Sequence, residues 1–186
     1  MNMIIATHNA HKIEEFDRIL APLGITVQTA ELTEAEETGT TFHENAYIKA
    51  KSACDETGLP CVADDSGLSI DYLNGEPGVY SARYAEPGKR KATVLEKLKG
   101  VPEEKRGAHF TSAICCVFPN GDVLEAEGYC YGRIAEECRG ESGFGYDPIF
   151  ICTEEDCAGK TFGEATAEEK DAVSHRGKSL RIFAEK

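Results

Sequence analysis

The sequence predicts a mixed α/β fold. Two observations lead there: an opening strand–helix–strand pattern and a long hairpin past the midpoint. The apolar run at 3–6 reads as a buried strand, and Asn9 can cap a helix whose Ile13, Phe16 and Leu20 share one face before Gly24. Residues 25–27 read as a second strand, followed by an acidic loop over 31–39. Thr41-Phe42-His43-Glu44 has the form of a capping box. It opens a helix with Ala46, Ala50, Ala53 and Cys54 on one side, stopped by Gly58-Leu59-Pro60. Two short strands, 61–63 and 68–72, flank the polar break Asp64-Asp65-Ser66-Gly67, and a loop covers 74–78. A helix follows over 87–98, closed by Gly100. The segments 110–118 and 123–131, joined through Pro119-Asn120-Gly121-Asp122, give the strongest hairpin signal in the chain. The loop 140–145 precedes an apolar stretch at 148–151, and the chain reads as helical from about Thr166, with Ser174 interrupting.

Composition narrows the function. At 186 residues and 41% hydrophobic, the chain is expected to form one compact domain, 1–186, or a two-lobed one, with enough apolar material for a core. No apolar run approaches the roughly 18 residues of a membrane span, and the N-terminus lacks a signal-peptide pattern, so a cytoplasmic protein without a membrane partner is expected. With 20 Lys+Arg against 33 Asp+Glu the net charge is −13, which disfavours nucleic acid as a partner. The most cationic stretch, 83–106, reads as a solvated helix face. Such a protein binds a polyphosphate only through local cations or a divalent metal, because its long-range field is repulsive. The 8 cysteines include no C-x-x-C pair, so they read as free, mostly buried side chains in a reducing compartment, with Cys115 and Cys116 on opposite faces of a strand.

The common phosphate-loop, dinucleotide, zinc-protease and serine-hydrolase motifs are absent. Four polar clusters remain. Thr7-His8-Asn9-Ala10-His11-Lys12 leaves a strand and enters a helix, so backbone N–H groups and a lysine converge as a phosphate needs; the plainer reading is an ordinary capped turn. Asp64-Asp65-Ser66-Gly67 ends an apolar run with two adjacent carboxylates, costly unless paired or metal-bound. With Glu36-Glu37 they could supply oxygen ligands to Mg²⁺, or else cap a turn. Gly143-Phe144-Gly145-Tyr146-Asp147-Pro148 allows close backbone approach and a ring to stack on, or is a tight turn with core aromatics. Lys170 with Ser174-His175-Arg176, and Lys49 on the second helix, offer cations and donors that would otherwise be surface residues. Together these groups fit a nucleoside polyphosphate and metal-assisted hydrolysis.

The ordered strings ATHNAHKIEEF, ETGTTFHENAYIKA, ADDSGL, GVYSARYA, GFGYDPIF and SHRGKSL, spanning about 4–180, resemble the inosine/xanthosine triphosphate pyrophosphatases. The resemblance implies an elongated mixed sheet with helices, two lobes around a central substrate cleft and a homodimer. It implies Mg²⁺-dependent hydrolysis of ITP, dITP and XTP to monophosphate and pyrophosphate. By motif, Asp65 becomes general base and metal ligand, and Glu37 the other ligand. Thr7, His8, Asn9, Ala10, His11 and Lys12 form the phosphate loop, with Lys49 near the phosphates and Ser66 on substrate. Phe144, Gly145, Tyr146 and Asp147 frame the nucleoside, Phe144 stacking on the base. Lys170, His175 and Arg176 contact phosphate and base, the last two reading the purine 6-keto oxygen. Many members have Gly where this chain has His11, which touches the fine geometry of the loop. Glu37 over Glu36, and Asp65 over Asp64, rest on motif alignment alone. Alternatives are a pyrophosphatase for pyrimidine or methylated nucleotides, a nucleotide-binding regulator without hydrolysis, and an RNA-binding module.

Overall fold

The computed structural model describes residues 1–86, 88–154 and 158–186. Its strands are β1 (Asn2–Ile5), β2 (Thr26–Gln28), β3 (Cys61–Ile70), β4 (Gly107–Val117), β5 (Val123–Ile134) and β6 (Phe150–Cys152). The α-helices are α1 (Ala10–Leu20), α2 (Phe42–Thr57), α3 (Arg90–Lys97), α4 (Ala167–Val173) and α5 (His175–Ala184). The strands form one six-stranded sheet in the order β2-β1-β3-β4-β5-β6. It is mixed: β1 runs parallel to β2 and β3, and β6 antiparallel to β5. The predicted mixed sheet flanked by helices is what the chain adopts.

The chain divides into two compact units. The first comprises Met1–Ser66, Ser112–Gly128 and Arg176–Lys186; the second comprises Gly67–Thr111 and Tyr129–His175. In the first unit strand alternation sorts apolar side chains onto two faces. Met3, Ile5, Val62, Ile114 and Cys116 pack with Phe16 and Leu20 of α1 and Leu180 and Phe183 of α5. Ile4, Ala6, Cys61, Ala63, Ala113 and Cys115 pack with Ala46, Ala50 and Ala53 of α2. Cys115 and Cys116 therefore lie on opposite faces, as their adjacency in a strand requires. The small residues of α2 let it lie close against the sheet. In the second unit Leu68, Ile70, Leu98, Phe110, Ile134, Phe150 and Phe162 form the centre of a separate core. Among the described residues no helix is long and apolar enough to cross a membrane.

Several local expectations hold. Asn9 caps α1 by accepting from the N–H groups of His11 and Lys12. Ser174, with extended backbone, separates α4 from α5. Gly58 ends α2 in the left-handed conformation at φ +70°. Others are corrected. The two strands expected around Asp64-Asp65-Ser66-Gly67 are one continuous β3, because both carboxylates find cations from other elements and need no turn to satisfy them. The capping box at Thr41 is only half formed. Its hydroxyl accepts from Glu44 N–H at 3.1 Å, but the Glu44 carboxylate turns to Thr40 N–H at 3.2 Å. A complete box instead opens α4, between Thr166 and Glu169, a T-x-x-E pattern visible in the sequence. The helix expected over 87–98 begins at Arg90; Pro87 lies outside the described residues.

The stretch 83–106 is not wholly a solvated face. Arg106 is buried, and its guanidinium donates to the carbonyls of Ile134, Leu98 and Ala135 at 2.8 Å and of Val101 at 3.3 Å. Among the described residues the cysteines form no disulfide: Cys54, Cys61, Cys115, Cys116, Cys130 and Cys152 are buried, and Cys138 is exposed. Cys157 lies outside the described residues.

Candidate active site

The first unit gathers a buried charge cluster around Asp64 and Asp65. Adjacent residues of a strand point to opposite faces, so the two carboxylates meet different helices. Asp64 shares the parity of Val62 and faces α1 and α5. Its Oδ2 lies 3.0 Å from Lys12 Nζ and 3.2 Å from Arg176 Nη2. Its Oδ1 accepts from Ser112 Oγ at 2.6 Å, and Ser112 has the same parity on β4 as Ile114. Arg176 also pairs with buried Glu15 of α1 and donates to Ser66 Oγ at 2.8 Å. Burial opposes ionisation of Asp64, but Arg176 and Lys12 outweigh it and hold the carboxyl far below the usual range. Arg176 is correspondingly held charged against its own burial by Asp64 and Glu15. The ammonium of Lys12 is weakened by burial in spite of Asp64.

Asp65 shares the parity of Ala63 and faces α2. Lys49 Nζ of that helix lies 3.7 Å from Asp65 Oδ1, 3.1 Å from Glu37 Oε1, and 2.7 Å from the backbone oxygen of Asp64. Glu36 is exposed, whereas Glu37 is half-buried on Lys49. Asp65 Oδ2 is buried and has no hydrogen-bond partner among the described residues. Burial is the main force on this carboxyl; with the neighbouring charges of Glu37 and Asp64 it overrides Lys49 and pushes Asp65 up to about 6. Two adjacent aspartates are thus displaced in opposite directions.

The segment 7–12 is more occupied than the sequence suggested. Asn9 Oδ1 takes the N–H groups of His11 and Lys12 at 3.0 and 3.3 Å, and Thr7 Oγ1 accepts from Asn9 N–H at 3.1 Å. Those two first-turn amides are therefore capped, and Lys12 is the group this segment sends into the cluster. His8, Asn9, Ala10 and His11 are exposed.

The second unit holds the other expected residues. Lys170 and Asp147, each about one-twentieth exposed at the side chain, pair at 2.7 Å. The Lys170 ammonium sits 4.7 Å from the centre of the half-buried Phe144 ring. Asp147 Oδ2 also accepts from Phe144 N–H at 2.9 Å, closing a turn through Gly143 and Gly145, both at positive φ. A Cβ on Gly143 would come within 2.2 Å of Asp147 Oδ2, so the turn requires glycine there. His175 is buried and stacks on Phe110 at 4.6 Å with 15° between the rings. Lys170, Ser174, His175 and Arg176 are all buried rather than surface residues. Glu15, Ser112 and Ser81 were not anticipated. For Glu15 the signal was an acidic residue on the same helix face as Phe16 and Ile19.

Fold and charge cluster define a class: an α/β protein that buries a paired-cation aspartate beside a second aspartate raised toward neutrality. The particular family follows from comparison. The Ham1 family profile matches residues 3–186, and the chain belongs to that family. A dITP/XTP pyrophosphatase of Bacillus subtilis is 48% identical over 186 residues, covering 96% of this chain and 92% of that one. One from Brucella melitensis biotype 1 is 45% identical over 205 residues, covering 99% and 92%. The solved HAM1 protein of Coxiella burnetii superposes with a TM-score of 0.87 at 39% identity, covering 100% of this chain and 97% of its own.

Proposed function

We propose that this protein hydrolyses deaminated purine nucleoside triphosphates (ITP, dITP and XTP) to the monophosphate and pyrophosphate, with Mg²⁺ as cofactor. The observation that carries the reading is Asp65: buried, raised to about 6, with one carboxylate oxygen unpartnered beside Lys49 and Glu37. A group titrating there accepts a proton from water near neutral pH. The relatives' shared name, dITP/XTP pyrophosphatase, supports the substrate class.

The donor set also supports the cofactor. Among the described residues no three or more His, Cys, Asp or Glu side chains gather into a metal cage. Glu37 and Asp65 nonetheless share Lys49, and the orphaned Asp65 Oδ2 is a hard oxygen donor. Mg²⁺ is ordinarily held by one or two carboxylates together with substrate phosphates and water, so two protein ligands suit it. When bound it would neutralise phosphate charge and act as a Lewis acid.

The chain's own residues divide the remaining work. Lys12 and Lys49 offset phosphate charge that the −13 protein would otherwise repel. Asp65 takes the proton of the water that attacks phosphorus, and pyrophosphate leaves. Ser66 contacts the substrate, and residues 7–12 form the loop for its phosphates. Phe144, Gly145, Tyr146 and Asp147 frame the nucleoside, with Lys170 fixing Asp147. His175 and Arg176 read the 6-keto oxygen. Adenine presents an amino donor there, a mismatch that leaves donors unpaired and costs roughly 3–5 kcal/mol. We further assign a homodimer in the cytoplasm, which sedimentation and fractionation test.

The test is a substrate panel of ITP, dITP, XTP, GTP, ATP, CTP and dTTP with Mg²⁺, measuring pyrophosphate and orthophosphate separately. Pyrophosphate release confined to the first three is expected. Orthophosphate release, or indifference to the base, overturns the assignment.

A further inference from the structure

No residue of the string GVYSARYA takes a role in the proposed reaction, yet the structure gives its serine a specific task. Residues Gly78–Arg83 form a 3-10 turn, in which Ser81 is only 6% exposed. The Ser81 hydroxyl accepts from Leu68 N–H at 2.9 Å and donates to Gly78 O at 2.6 Å. Its carbonyl accepts from the Tyr146 hydroxyl at 2.7 Å. Tyr146 is itself 6% exposed and packs in the core of the second unit. Burial pushes its phenol up to about 12, so the group is a proton donor throughout the neutral range. A phenol carries one proton, and here it is given to Ser81.

We infer that Ser81 and the Tyr146 hydroxyl form a buried clasp that fixes the turn 143–147 in the orientation needed to receive a purine base. Both are positioning groups, and the Tyr146 hydroxyl makes no contact with the base. The nature of the ligand rests on the proposed function; the clasp itself does not. The turn has two glycines at positive φ, whose backbone is permissive, so contacts from outside the turn narrow its freedom. Within the turn, Phe144 and Asp147 bond each other. Tyr146 ties it to a distant part of the same unit, since Ser81 is bonded in turn to the backbone of β3 at Leu68.

Tyr146→Phe removes one hydroxyl and keeps the ring in its packing. Two readouts separate a clasp from general core support. Without nucleotide, amide hydrogen exchange over 143–147 should quicken roughly tenfold, the worth of one hydrogen bond, while exchange in β1 and α1 stays unchanged. With ITP, KM should rise roughly tenfold with a much smaller fall in kcat. Ser81→Ala, which frees Leu68 N–H, should move both readouts in the same direction, and Tyr72→Phe, at an exposed site, should move neither. Unchanged loop exchange and unchanged KM in Tyr146→Phe overturn the clasp, even if the melting temperature falls. If the wild-type protein fails to cleave ITP, the functional reading falls while the exchange measurement still decides the clasp.

Discussion

Replacing Asp65 by Asn should stabilise the protein while removing its activity. The folded-state carboxyl titrates at about 6 against an ordinary value of 3.8. About two units at ~1.4 kcal/mol each is roughly 3 kcal/mol. The folded value lies above the unfolded one, so between about pH 4 and pH 6 the folded chain binds the extra proton and stability drops as pH rises. Above pH 6 the ionised carboxylate therefore costs the fold close to the whole amount. Asn cannot ionise and avoids that cost, although Lys49 loses one of its partners, so a net gain of about 1–3 kcal/mol is expected at pH 7.5 and almost none at pH 4. Urea unfolding of both proteins in EDTA at the two pH values measures the difference directly. Excess Mg²⁺ should narrow the gap at pH 7.5 by binding the folded wild type. Pyrophosphate release should fall by about 10²–10⁴-fold. Equal stabilities at both pH values, or a less stable variant at pH 7.5, would refute the account of Asp65; full activity in the variant would refute its role as base.

Arg106→Lys should destabilise by about 2–4 kcal/mol, because an ammonium with three donors cannot serve four buried carbonyls as the planar fork does; thermal unfolding reads this out. Gly143→Ala should cost about 1–3 kcal/mol from positive φ and its clash with Asp147, and should raise KM for ITP more than it lowers kcat. Lys170→Met takes the cation from the buried Asp147 carboxylate and should cost about 3–5 kcal/mol, with Asp147→Asn in the same chain recovering part of the loss. Absence of that recovery in a double-mutant cycle would mean that the pair is not what holds Asp147.

Local signals carried most of the fold. Asn9, Gly58 and Ser174 mark helix boundaries through their own backbone chemistry, and the alternation around Cys115 and Cys116 assigns both faces of β4 before any partner is known. What the sequence hid was decided by residues far along the chain. Two aspartates and a serine before a glycine have poor strand propensity, yet β3 runs through them, since Lys12, Lys49 and Arg176 arrive from three different helices. Arg106 reads as one more cation of an exposed stretch until the carbonyls of Ile134 and Ala135, nearly thirty residues on, close around it. Glu44 sits at the right spacing for a capping box, but Thr40 competes for its carboxylate, and spacing cannot rank two neighbouring amides.

Sequence alone could not say which aspartate of the pair suits the proposed role of base, and the reason shows how to test the choice. Both residues are acidic, adjacent and nearly fully buried. Only the period of the strand separates them, and it acts through whichever helices lie on each face. Asp64 meets α1 and α5, which bring Lys12 and Arg176, while Asp65 meets α2 and shares Lys49 with Glu37. The same substitution at the two positions should therefore have opposite effects. Asp64→Asn leaves Lys12 and Arg176 buried without their common carboxylate and should cost about 3–5 kcal/mol at pH 7.5, where Asp65→Asn gains. Asp64 is held ionised far below the working range and takes up no proton there, but its charge is one of those that raise Asp65, so Asp64→Asn should lower the pH at which Asp65 titrates in the metal-free protein, read by NMR of the carboxyl carbon. Stabilisation by Asp64→Asn would show that the cations do not need it, and would leave the opposed displacement of the two carboxyls without its cause.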